Sequence, residues 1–64
     1  MLPHQERVVT EKTELDDKLQ KLAGFLNSEA VEKISIDERL RLTRQWQAMR
    51  EYSQILGERI AFFS

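Results

Sequence analysis

The sequence predicts an all-α protein: an antiparallel two-helix hairpin that completes its core by assembling into a homo-oligomeric helical bundle. Three observations carry this. Apolar residues recur at spacings of three and four in two long segments, only two glycines and one proline interrupt the 64 residues, and a capping signal separates the segments. A chain of this length buries only about 60% of its unfolded surface, so it is marginal as an isolated fold. There is no cysteine, and the single His4 has no metal-ligand partner a helical turn away. Disulfides and a structural metal are thereby excluded as staples, which leaves oligomerisation.

The first helix is expected over about residues 3–27. Pro3 sits where its fixed φ opens a helix rather than breaks one. Val8, Leu15, Leu19, Leu22 and Leu26 fall on one stripe, with Lys12 in the vacant slot. Glu14 to Lys18 and Asp17 to Lys21 are (i, i+4) pairs in the favourable orientation on the solvent side. Asn27-Ser28 reads as a stop, and residues 28–35 as a loop with room for one helical turn.

The second helix is expected over about 36–62. "SIDE", Ser35 to Glu38, fits a capping box in which the Ser35 hydroxyl accepts from the Glu38 amide and the Glu38 carboxylate reaches back. Asp37 adds first-turn negative charge. The stripe then runs Leu42, Trp46, Met49, Ser53, Leu56, Ile60 and Phe63, broken only by Ser53. Such regularity favours coiled-coil-like packing. Gly57 allows a close helix approach at a propensity cost of about 1 kcal/mol. Folded antiparallel, the stripes match in layers whose residue numbers add to 68, from Leu26 with Leu42 to Val8 with Ile60. Two helices enclose no core, and Phe25, Ile36, Leu40, Ile55, Phe62 and Phe63 still require cover. A dimeric four-helix bundle or a closed ring supplies it.

Function classes narrow by exclusion. The formal charge is −1 with 33% charged residues, whereas a duplex nucleic-acid binder is normally net basic. No apolar run approaches the ~18 residues of a membrane span, and no charged-then-apolar leader pattern opens the chain. The expectation is a protein of the host cytoplasm, with neither membrane nor duplex nucleic acid as partner. Catalysis lacks its parts: no Cys, no supported His, and the pairs Asp16-Asp17 and Asp37-Glu38 have surface and capping explanations. No catalytic residue, metal or cofactor is expected, and the protein is read as a non-enzyme.

The candidate site is ligand-binding and consists of Arg7, Lys12, Arg44, Tyr52 and Arg59. Lys12 and Ser53 are polar breaks in adjacent layers of the seam. The plainer explanation is a lysine that snorkels and a serine that relieves crowding. The functional one is a polar notch beside Leu15, Leu56 and Tyr52, with Arg7 and Arg59 brought toward each other at the open end. Arginine forks and a lysine point charge suit phosphate, and a tyrosine ring suits a base. Four arginines, Arg39, Arg41, Arg44 and Arg50, fall within residues 39–50 without an acid among them. An Asp37–Arg41 pair and salt bridges to the acid-rich first helix account for part of that charge. Arg44 beside Trp46 remains as a contact for phosphate or for an acidic partner surface.

Two resemblances add to this. "RVVTEKTELDDKLQKLAGFL" and "DERLRLTRQWQAMREYSQILGERIA" resemble a family of very small tailed-phage accessory proteins with similarity to a crAss-like phage protein. Thr10-Glu11-Lys12 before "LTRQWQAM" is similar to the phage anti-CBASS sponge, which sequesters cyclic nucleotide immune signals. That resemblance implies an oligomeric helical hairpin with ligand pockets between protomers, no cleavage, and Lys12 as a phosphate contact. The sponge's opening Tyr-His-Pro-Pro is replaced here by Leu2-Pro3-His4, so base stacking falls to Tyr52. The resulting expectation is a phage counter-defence protein that sequesters an anionic nucleotide messenger of the cyclic oligonucleotide or cyclic ADP-ribose type. The alternatives are a helical inhibitor or adaptor that binds a host protein, and a purely structural coiled-coil element.

Overall fold

The computed structural model describes residues 1–63 and contains two long helices, α1 (Pro3–Leu26) and α2 (Ile36–Ala61), joined through a 3-10 turn at Glu29–Lys33. The helices pack on one another as a hairpin measuring 46 × 14 × 14 Å. Each end is stopped by local chemistry. At the start of α1 the Leu2 amide donates to Gln5 Oε1 at 3.0 Å, ahead of Pro3 in the first turn. At its end Asn27 Nδ2 donates to the Ala23 carbonyl at 3.0 Å and the Ser28 hydroxyl to that of Phe25 at 2.7 Å. Both carbonyls also accept a backbone amide, from Asn27 and Ser28 respectively, so the side chains reinforce the closing turn.

α2 begins at the Ser35 cap, whose hydroxyl accepts from the Glu38 amide at 3.1 Å. The reciprocal half of the capping box is not made. Glu38 Oε1 instead accepts from Arg41 Nε at 2.9 Å, an (i, i+3) pair that also takes Arg41 away from Asp37. A charged donor outcompetes a neutral amide for the same carboxylate. On α1, Lys21 pairs with Asp17 at 2.9 Å.

The seam residues are all at least half-buried, and the interior is thin. Leu56 is the one fully buried large side chain among the described residues; Val8, Val31 and Ser53 are buried with little surface left exposed. Val31 sits in the connecting turn, which packs on α1, and its carbonyl accepts from Arg39 Nη2 at 3.3 Å. One of the four clustered arginines therefore braces the loop. Of the residues expected to need cover, Phe25 and Phe63 are half-buried, while Ile36, Leu40, Ile55 and Phe62 stay exposed at 74, 58, 47 and 87%.

A single layer of contact leaves the chain extended. A compact monomer of 7.6 kDa is expected to expose about 4,300 Å², against 5152 Å² here. The radius of gyration is 14.6 Å, against about 11 Å for a compact chain of this length.

Candidate functional site

The seam's polar break is an organised cluster. Lys12 Nζ donates to Asp16 Oδ2 at 2.8 Å and to Ser53 Oγ at 3.0 Å, and the Ser53 hydroxyl donates to Asp16 Oδ1. Asp16 was assigned to the solvent side; here it is half-buried and shared between the helices. Its place one turn after Lys12, and next to Leu15, which the register sets opposite Ser53, is the sequence signal for it. The hydrogen bond from Lys12 and then that from Ser53 hold the Asp16 carboxyl below its ordinary value, outweighing the opposing effect of burial. Gly57 completes the notch: a Cβ there would lie 3.2 Å from Lys12 Cε, so the missing side chain is what lets the lysine stem cross α2.

The other candidates lie away from this cluster. Tyr52 is next to Ser53 in sequence and so about 100° around the helix; it is 42% exposed. Arg7 is exposed at a shallow hollow along α1 lined by Pro3, Glu6, Thr10, Glu11 and Glu14. Arg59 lines a separate recess at the C-terminal end of α2, with Ile55, Glu58, Phe62 and Phe63. Arg44 is exposed on the middle of α2. Within one copy, then, Lys12 is joined to Asp16 and Ser53, while Arg7 and Arg59 face different hollows.

The arginine cluster divides by partner. Arg39 serves the loop and Arg41 pairs with Glu38. Arg50 lies over the Trp46 ring, 5.6 Å from its centroid, within cation–π range. The indole nitrogen of Trp46 and Nε of Arg39 are buried without a hydrogen-bond partner. Three ion pairs form among the described residues, Lys12–Asp16, Lys21–Asp17 and Arg41–Glu38, and none engages Arg7, Arg44 or Arg59. By sequence Phe62 counts as apolar surface and Phe63 as the end of the α2 stripe; their adjacency to a charged residue three and four positions earlier is the signal for a mixed site.

No described helix is long and apolar enough to cross a membrane, and no group of three His, Cys, Asp or Glu side chains among the described residues is placed to hold a metal. No curated protein and no solved structure matches the chain. The model of the Sequestin family matches residues 2–62, the whole hairpin with its polar notch and its unpaired arginines, and the chain belongs to that family.

Proposed function

We propose that this protein is a phage counter-defence factor that captures a nucleotide immune messenger, of the cyclic oligonucleotide or cyclic ADP-ribose type, and holds it without cleaving it. The family name points to sequestration of a ligand. The observation that carries the reading is a set of exposed arginines, Arg7, Arg44 and Arg59, that have neither a carboxylate partner nor, unlike Arg50, an indole ring beneath them among the described residues. Guanidinium forks grip phosphate oxygens in pairs, and exposed Tyr52 offers a ring for a base. Lys12 has one ammonium proton beyond those given to Asp16 and Ser53.

The ligand is held between copies of the chain. The roughly 850 Å² by which the hairpin exceeds a compact monomer's surface matches the ~800 Å² each partner buries in a standard interface. The site of action is the host cytoplasm, where such messengers act. Calorimetric titration with cyclic di- and trinucleotides and cyclic ADP-ribose isomers tests the reading. Heat with at least one of them, and recovery of that compound intact after heat denaturation, is the expected result. Silence across the panel, or recovery of a hydrolysed product, removes it.

A second reading keeps an observation of its own. Exposed Ile36, Leu40, Ile55 and Phe62 also suit an adaptor that docks on a host protein's helix or groove. It predicts a stoichiometric complex with a host protein and no heat from nucleotides.

A further inference from the structure

The recess at the end of α2 is an open hollow with an aromatic wall, Phe62 and Phe63, and a charged rim, Arg59 and Glu58. What covers it is legible in α2 itself. Leu40, Arg44, Ala48, Ile55 and Phe62 recur at spacings of four and seven, lie on one flank of the helix, and are all exposed.

We infer that two copies pair α2 against α2 in antiparallel along this flank, and that the Leu40–Arg44 segment of each copy closes the recess of the other. The observations behind this are complementarity and area. A two-fold axis near Glu51 sets Leu40 opposite Phe62 of the partner subunit, and Arg44 opposite Glu58 of the partner subunit. Ala48, the smallest residue of the flank, then lies beside Ile55 of the partner subunit and allows close approach of the helices. Two apolar contacts and one opposite-charge pair arise twice over from one register, as an isologous interface requires. The surface excess over a compact monomer is about one partner's share of a standard interface. The one unfavourable meeting is Glu51 with its own copy at the axis, where Tyr52 of the partner subunit can donate to it.

Closed in this way, each recess acquires the guanidinium of the partner's Arg44, held by Glu58 and facing Arg59 beside the Phe62 and Phe63 rings, so that two guanidinium groups and one carboxylate leave the recess net positive. Two guanidinium groups facing across an aromatic floor fit a phosphodiester or pyrophosphate carrying a stacked base. This ligand assignment rests on the sequestration reading; the interface does not.

Sedimentation across micromolar concentrations, with circular dichroism to confirm helicity of each variant, tests the interface. Arg44→Glu and Glu58→Arg each weaken the dimer by about tenfold or more, and the double swap returns it to within about threefold of the parent. A monomeric parent, or a double swap as weak as its singles, overturns the inference. The pocket is tested by mixing Arg44→Ala protein with Arg59→Ala protein and titrating cyclic ADP-ribose and cyclic di-AMP. Neither variant alone binds, and the equal mixture regains about a quarter of the parent's sites, because half the dimers are mixed and each has one intact pocket of two. A parent that binds while the mixture stays silent overturns the shared pocket. A parent that dimerises by the swap criterion yet binds no nucleotide overturns the sequestration reading and leaves the interface standing.

Discussion

Replacing Leu56 by alanine asks where the interior of this hairpin lies. Leu56 is 0% exposed, and its neighbour Ile55 is 47% exposed. Full burial of a leucine side chain is worth about 1.5–3 kcal/mol, and truncation adds a cavity term that brings Leu→Ala in cores to about 2–5 kcal/mol. A seam one layer thick, open to solvent on both flanks, can close partly on the gap, so the lower part of that range applies: about 2–3 kcal/mol. The whole stability of a 64-residue chain is about 3–10 kcal/mol, so the loss is a fifth of it or more. In urea, where a protein this small has a slope near 1 kcal/mol/M, the midpoint falls by about 2–3 M. Ile55→Ala is the control. In dilute protein it costs less than about 1 kcal/mol, because half the side chain is already in water and alanine is the better helix former. At high protein concentration its cost grows, since the proposed pairing of α2 helices buries it and assembly adds to stability by mass action. The assay is urea unfolding followed by helical circular dichroism at two protein concentrations. Equal losses for Leu56→Ala and Ile55→Ala in dilute protein would refute the placement of the seam, and with it the register of the polar notch.

Further expectations follow from the same contacts. Gly24→Ala raises stability by close to the full propensity difference of about 1 kcal/mol, because nothing lies within 4 Å of a Cβ there, whereas Gly57→Ala gains less because its Cβ meets Lys12 Cε at 3.2 Å; thermal unfolding of the two variants side by side measures the difference. Ser35→Ala costs about 1 kcal/mol through loss of the α2 cap and is read from the same melts. Asp16 has a folded pKa below its ordinary 3.8, so the stability it contributes is fully present above 3.8 and is lost as pH falls through the lower folded value; an acid titration of the melting point therefore falls less steeply for Asp16→Asn than for the parent. Glu51→Gln removes a like-charge meeting at the proposed two-fold axis and tightens the dimer, which sedimentation at low salt will show.

Much of the hairpin was legible because its information is local and periodic. Stripes alternating three and four apart name the seam without any knowledge of the partner helix, and the Ser35 cap is written in four consecutive residues. What was not legible depends on the path of the chain or on competition between partners. Arg39 reaches the Val31 carbonyl only because the 3-10 turn brings that carbonyl back toward α2. Glu38 had two claimants, the cap amide and Arg41, and spacing alone does not rank them. Asp16 illustrates the limit best. An acid on an amphipathic helix belongs by default to water, and it becomes a seam residue only when a lysine one turn earlier and a serine across the interface both turn to it. The five candidate binding residues were chosen by charge and register. The structure describes one copy, in which Arg7 and Arg59 face separate hollows.

The position of Lys12 bears on what kind of ligand grip this fold can build. Two of the three ammonium protons are engaged, by Asp16 and by Ser53, and the carboxylate already neutralises the charge at 2.8 Å. An incoming phosphate therefore meets, at the notch, a lysine whose field is largely cancelled by its own helix. To bind there it must share the third proton or displace Asp16, and displacement leaves a half-buried carboxylate facing an anion. The exposed guanidinium groups of Arg44 and Arg59 make no ion pair within one copy, and in the proposed dimer the two of them share a single carboxylate, that of Glu58, which leaves a net positive charge. The proposed phosphate grip is accordingly weighted toward α2, and the Lys12 cluster toward holding the two helices in register, as polar residues within coiled-coil seams do. Lys12→Met then separates the two roles. It removes the charge but keeps the stem, so unfolding shifts to lower urea while nucleotide affinity, measured well below that transition, changes by less than about threefold. A loss of affinity equal to that of Arg59→Ala would place the lysine in the ligand grip and return the notch to the centre of the site.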